Sequence, residues 1–109
     1  MKRYAKGASH LLCGHWNGSP VEIGLGDLIR HVPAGEARHL HAYYEYYLVL
    51  EGRGALEVEG ETVPLEPNTV VMVEPGERHR VASVDPDVGM RWVIVKQVSA
   101  PNSKTLVDD

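Results

Sequence analysis

The chain has 109 residues, enough for a single domain that buries somewhat over ~60% of the surface its unfolded form would expose. Its 43% apolar and 24% charged content is that of a soluble globular protein, and a net charge of −4 with scattered Lys and Arg gives no basic stripe for nucleic acid or an anionic membrane. The one cysteine, Cys13, excludes an internal disulfide, and neither a signal-peptide stretch before it nor a run near the ~20 apolar residues of a membrane helix is present, so a cytoplasmic protein is expected.

The first ~15 residues carry no legible pattern. Beyond them, short runs of Val, Ile, Leu and Tyr are punctuated by Gly, Pro and Asp, with no sustained 3.6-residue period. Strands are predicted over 21–25, 27–32, 37–41, 45–50, 54–58, 62–65, 69–73, 79–84 and 90–98. Turn signals separate them at Pro33-Ala34-Gly35, Glu51-Gly52, Glu59-Gly60, Glu66-Pro67-Asn68, Pro75-Gly76 and Asp85-Pro86-Asp87. The polar tail 99–109, with Pro101-Asn102-Ser103, reads as an extended arm or frayed end. Many short strands at this spacing point to a sandwich or barrel.

Side-chain parity adds detail. Glu45 shares a strand face with Tyr47 and Val49, while Tyr46, Leu48 and Leu50 share the other. In 54–58, Leu56 and Val58 oppose Ala55 and Glu57, a half-buried pattern. The runs Val70-Val71-Met72-Val73 and Trp92-Val93-Ile94-Val95 are apolar on both faces and need cover on both. In so small a domain a second subunit is the natural cover, so a homodimer is expected.

The chemistry is concentrated in His39-Leu40-His41, Glu45 and His79. Residues two apart on a strand point to one face, so His39 and His41 present both imidazoles together. Glu45 follows four residues on, and His79 follows the turn Pro75-Gly76-Glu77-Arg78. Three neutral nitrogens and one carboxylate oxygen suit a divalent transition metal (iron, manganese, nickel, zinc or copper). Calcium would prefer all-oxygen ligands, and structural zinc usually closes its shell with Cys, which Cys13 is not positioned to supply. A lone His-x-His is more often surface polarity; it is the set of four that is specific.

Tyr47, on the face of Glu45, is a candidate pocket and catalytic residue, and Tyr43 (or Tyr44) is a candidate to offer a phenol to the same substrate pocket from the loop, whereas Tyr46 suits packing. Arg38 and Arg80 alternate with ligand positions and point away from them. Arg91 stays a pocket candidate, able to bind a carboxylate or phosphate through two parallel hydrogen bonds. His10, His15 and His31 fit surface or turn roles, and Trp16 and Trp92 fit core or interface roles.

These residues resemble the cupin superfamily. Its first motif, Gly-x5-His-x-His-x(3–4)-Glu-x6-Gly, is matched by His39, His41, Glu45 and Gly52, with Pro33 at the leading Gly. Its second, Gly-x5-Pro-x-Gly-x2-His-x3-Asn, is matched by Gly76 and His79, with Asn68 at the first Gly, Pro75 displaced by one and Ser83 at the Asn. Asn tolerates the left-handed conformation that a turn Gly supplies. The resemblance covers about residues 20–98. It implies a single-domain jelly-roll β-barrel over 1–109, with His39, His41, Glu45 and His79 holding one divalent metal. It also implies an enzyme of dioxygenase, decarboxylase or isomerase type acting on a small oxygen-bearing molecule. The alternative is a small-molecule-binding or sensory module without catalysis, since one barrel of this kind carries many chemistries.

Overall fold

Alternating β-branched and aromatic residues form strands where their period predicts, and ten strands arise in the computed structural model, which describes residues 1–29, 38–101 and 104–106. In chain order they are β1 (Leu11–Cys13), β2 (Glu22–Ile29), β3 (His39–His41), β4 (Glu45–Gly52), β5 (Gly54–Val58), β6 (Glu61–Leu65), β7 (Val70–Val73), β8 (His79–Val84), β9 (Met90–Lys96) and β10 (Lys104–Leu106). A single 3-10 turn, His15–Asn17, interrupts them, and no α-helix occurs among the described residues. None of the helical structure described is long and apolar enough to cross a membrane.

The strands make two five-stranded antiparallel sheets. The first runs β1-β2-β9-β4-β7 and the second β10-β3-β8-β5-β6. Inward side chains of both form one core: Tyr47 and Val49 of β4, Val73 of β7 and Met90 and Trp92 of β9 face Leu56 of β5, Leu65 of β6 and Val81 and Val84 of β8. Non-directional burial of these groups holds the sheets together, at about 1.5–3 kcal/mol for each large apolar side chain.

Three expectations change. The predicted strands 21–25 and 27–32 are one strand, β2, as far as the described residues go; 30–32 lie outside them, as do Ala37, His31 and the predicted turn Pro33-Ala34-Gly35. Gly26 looks like a break but pairs with Trp92, whose indole occupies the space a Cβ would need. The N-terminal region, unreadable by period, supplies β1 on the edge of the first sheet. The tail supplies β10, whose Lys104, Thr105 and Leu106 pair with His41, Leu40 and His39. A strand of three residues shows too little alternation to be recognised alone, and its partner's edge decides that it forms.

The turn chemistry follows the sequence closely. Asn68 takes φ +66° at the position where the family motif has Gly. Gly52 has φ +76°, and a side chain there would run into the Gly89 carbonyl, so β4 can end only in glycine.

Candidate metal centre

His39 and His79 are direct cross-strand partners on β3 and β8. His41 follows on the same face of β3, and both β3 histidines are buried while Leu40 between them is half-buried. The turn before β8 fixes His79 beside them. Gly76, at φ +83°, donates its N–H to the His41 carbonyl at 2.8 Å, Glu77 N–H bonds the Glu74 carbonyl at 3.1 Å, and the Glu77 carboxylate accepts from Glu74 N–H at 2.7 Å. Glu45 enters from the facing sheet as the first residue of β4, paired with Val73 and Lys96. The second sheet thus supplies three imidazoles and the first sheet one carboxylate.

All four side chains are buried, and their donor atoms lie within 4.8 Å of one another. His41 Nε2 is 2.8 Å from Glu45 Oε2 and His79 Nε2 is 3.6 Å from Oε1. The rings crowd together, with centroid separations of 4.3 Å for His39–His79, 5.1 Å for His39–His41 and 5.4 Å for His41–His79. The opposite ring nitrogens are anchored: His79 Nδ1 lies 3.0 Å from the Glu77 carbonyl oxygen and His41 Nδ1 3.0 Å from the Tyr43 hydroxyl. Burial pushes the Glu45 carboxyl up, but hydrogen bonding from His41, His79 and Tyr47, with the charge of His79, outweighs it and leaves the carboxyl well below the ordinary carboxylate range.

A buried ionised carboxylate is costly unless compensated by charge. Glu45 Oε2 lies at hydrogen-bond distance from His41 Nε2. Three imidazoles and a carboxylate converging in one buried cluster are what a cation's ligand shell requires. The donor set and its burial therefore fit a divalent transition metal.

Tyr47 is buried on the inner face of β4, bonds Glu45 and sets its ring edge-on to His79, with centroids 6.3 Å apart. Tyr43 is buried too, stacked on His41 at 4.8 Å, while Tyr44 and Tyr46 are half-buried. The expectation named both Tyr47 and Tyr43 for the pocket, Tyr43 from the loop; in the structure 39, 41, 43, 45, 47 and 49 are all buried, so one alternation runs from β3 across the bend into β4.

Arg91 is not brought to this cluster. It alternates with the buried Met90 and Trp92 and meets Glu51 at 3.6 Å on the other side of the sheet. The run Trp92-Val93-Ile94-Val95, apolar on both faces, hid that parity from the sequence. Arg38 and Arg80 also face away, both holding Glu57, each at 3.3 Å.

The cupin domain family model matches residues 28–96, more than half of the chain. No curated protein matches the sequence. Among solved structures, a cupin protein from Bacteroides fragilis superposes with a TM-score of 0.66 at 22% identity, covering 94% of this chain and 89% of that one. A tyrosine-to-phenylalanine variant of Streptomyces Pac13 with uridine gives 0.66 at 18% identity over 95% and 84%; Pac13 is a nucleoside dehydratase. A Cupin 2 conserved barrel domain protein from Salinispora arenicola gives 0.58 at 29% identity over 72% and 63%. This chain belongs to the cupin domain family.

Proposed function

We propose that this cupin binds one divalent transition metal through His39, His41, Glu45 and His79 and uses it to transform a small oxygen-bearing molecule. The supporting observation is the buried, ionised Glu45 set among three imidazoles. When bound, such a metal would act as a Lewis acid or redox centre for dioxygenation, decarboxylation or isomerisation on a substrate bound through oxygen. The chain's own contribution is to exclude bulk water by burial, hold the carboxylate ionised and present phenols beside it. Tyr47 is the proposed substrate-binding and proton-handling group, with Tyr43 behind His41. Pac13 offers a precedent for a polyhydroxylated ligand in a related fold.

The two sheets are read as the walls of a jelly-roll barrel, and the buried free thiol of Cys13 suits a reducing, cytoplasmic compartment. The outer face of the first sheet bears Leu48, Leu50, Val70 and Met72 at 37%, 48%, 58% and 45% exposure. Leu48 pairs with Val70 and Val93, and Tyr46 with Met72 and Val95, so these groups form one apolar surface. A second copy of the chain is its proposed cover.

Metal analysis of untagged protein, followed by turnover screening with and without chelator, tests the reading. About one metal per chain and activity that chelator removes and metal restores are expected. Metal retained without turnover on any small substrate would favour a binding module. Failure to take up added iron, manganese, nickel, zinc or copper would overturn the metal reading itself.

A further inference from the structure

The inner face of the first sheet continues past Glu45 and Tyr47 onto β9 and β2. Lys96 is the cross-strand partner of Glu45 and Ile94 that of Tyr47, while Glu22 pairs with Lys96 and Gly24 with Ile94, so all of them share that face. An ammonium-bearing strand and a second carboxylate-bearing strand therefore stand about 5 and 10 Å across the sheet from Glu45. His10, Leu11, Glu22, Gly24, Ile94 and Lys96 line a cleft of about 40 Å³. Gly24 is its floor: a Cβ there would come within 3.4 Å of Leu11 and 3.6 Å of His10, which close over it. At ~10–15 Å³ for an enclosed water, the cleft takes about three waters or one carboxylate group.

Lys96 is held in place rather than left to sweep through solvent. Its side chain is 23% exposed, and Nζ lies 3.1 Å from Glu22 Oε2. The Ser99 hydroxyl lies 3.3 Å from the other oxygen, Glu22 Oε1. Ser99 Oγ is itself fixed by the 3-10 turn: it accepts the His15 N–H at 2.8 Å and lies 3.0 Å from His15 Nδ1. Ser99 thus orients Glu22, and Glu22 orients Lys96. An ammonium carries three donors, and among the described residues Glu22 is the one side chain that meets it. Two N–H groups of a half-buried cation are left at the cleft, where a carboxylate gives the strongest match through charge-assisted hydrogen bonds.

We propose that Lys96 selects the substrate: it binds the carboxylate of a small organic acid whose other oxygen reaches the metal held by His39, His41, Glu45 and His79. The inference rests on the metal reading above and narrows its oxygen-bearing molecule to a carboxylic acid. The acid is short, because the ammonium and the ligand cluster are only one to two strand spacings apart, about 5–10 Å. Glu22 and Ser99 are positioning residues that aim the ammonium. The carboxylate of Glu22 on its flank, and the small size of the cleft, disfavour a phosphate dianion in the same place.

The test is binding of dicarboxylates to protein loaded with cobalt(II), whose visible bands change when a ligand oxygen enters its shell. Malonate, succinate and glutarate vary the spacing, and butyrate stands for succinate with one carboxylate replaced by a methyl group. At least one dicarboxylate should bind the wild type about 10–100-fold tighter than butyrate, the effect of hydrogen bonds to a charged group. Lys96→Met should still take up one cobalt per chain but bind that dicarboxylate no tighter than butyrate. A wild type indifferent to the second carboxylate, or a Lys96→Met protein with the wild-type preference, would overturn the inference while leaving the metal site standing. Wild-type protein that takes no cobalt at the four ligands would overturn both. Should Lys96→Met not fold, a crystal structure of the wild-type complex decides: a carboxylate within hydrogen-bond distance of Lys96 Nζ is expected, and a dicarboxylate bound at the metal with neither end at Lys96 would overturn the inference.

Discussion

The inner faces of β4 and β8 change character along their length. β4 begins with Glu45, continues with Tyr47 and ends in Val49; β8 begins with His79 and continues through Val81 to Val84. At one end, four ionisable side chains and two phenols are packed out of water. At the other, Leu56, Leu65, Met90 and Trp92 fill the space between the sheets. Burial stabilises the second group outright, whereas it penalises the first unless charge compensates. The fold therefore rests on the apolar end. The polar end is carried by it, and that is where a ligand has something to gain.

Substitutions at the two ends should separate these roles. Glu45→Gln removes the anionic ligand and should lower metal affinity more than ~100-fold, beyond the effect expected of a residue that merely orients a ligand. Leu56→Ala should do the reverse, losing about 2–5 kcal/mol of unfolding free energy with metal affinity intact in the folded protein. A Glu45→Gln protein that keeps its metal, or a folded Leu56→Ala protein that loses it, would break the contrast.

Acid should sharpen it. Metal needs neutral imidazoles, whose ordinary pKa is ~6.5, so bound metal should be released as pH falls through that region. Glu45 titrates in the other direction of linkage. Its folded pKa lies below its unfolded one, so its contribution to stability is present above the ordinary value of 4.5 and is lost only as pH falls through the lower folded value. In one titration followed by metal content and circular dichroism, metal loss should therefore precede unfolding. Simultaneous loss would mean that the metal holds the sheets together.

A smaller effect is expected on the outer face of the first sheet, where Met72→Lys should shift the protein in light scattering from about twice the 12.0 kDa chain mass to that mass, with the metal retained. Smallest is the exposed pair that braces the approach to His79. Arg78 holds the Glu59 carboxylate at 3.0 and 2.8 Å and keeps that carboxyl below its ordinary range. The pair's contribution is present above the ordinary Glu range and is lost on acidification. Arg78→Ala should give a barely measurable change at neutral pH that added salt abolishes.

The four proposed ligands were legible because strand parity and one turn suffice to gather them: His39 and His41 alternate, and Gly76 bends the chain so that His79 pairs with His39. The sheets were legible for the same reason, from β4 to β9. What stayed hidden depends on neighbours distant in sequence. Gly26 is a strand residue only because Trp92 lies over it, and β10 is a strand only because β3 offers it an edge. The face of Arg91 stayed hidden because the run that follows it, Trp92–Val95, is apolar on both sides and only pairing with β4 fixes which side is inward. Tyr43 was named for the pocket as a loop residue; its place against His41 follows from the alternation that also places His41 and Glu45.

The most direct test is a crystal structure of the metal-loaded protein with anomalous scattering data collected at the metal's absorption edge. We expect one peak per chain, with nitrogens of His39, His41 and His79 and an oxygen of Glu45 at about 2.0–2.3 Å. A loaded crystal with no peak between these four residues, or with its peak elsewhere, would contradict the proposed centre.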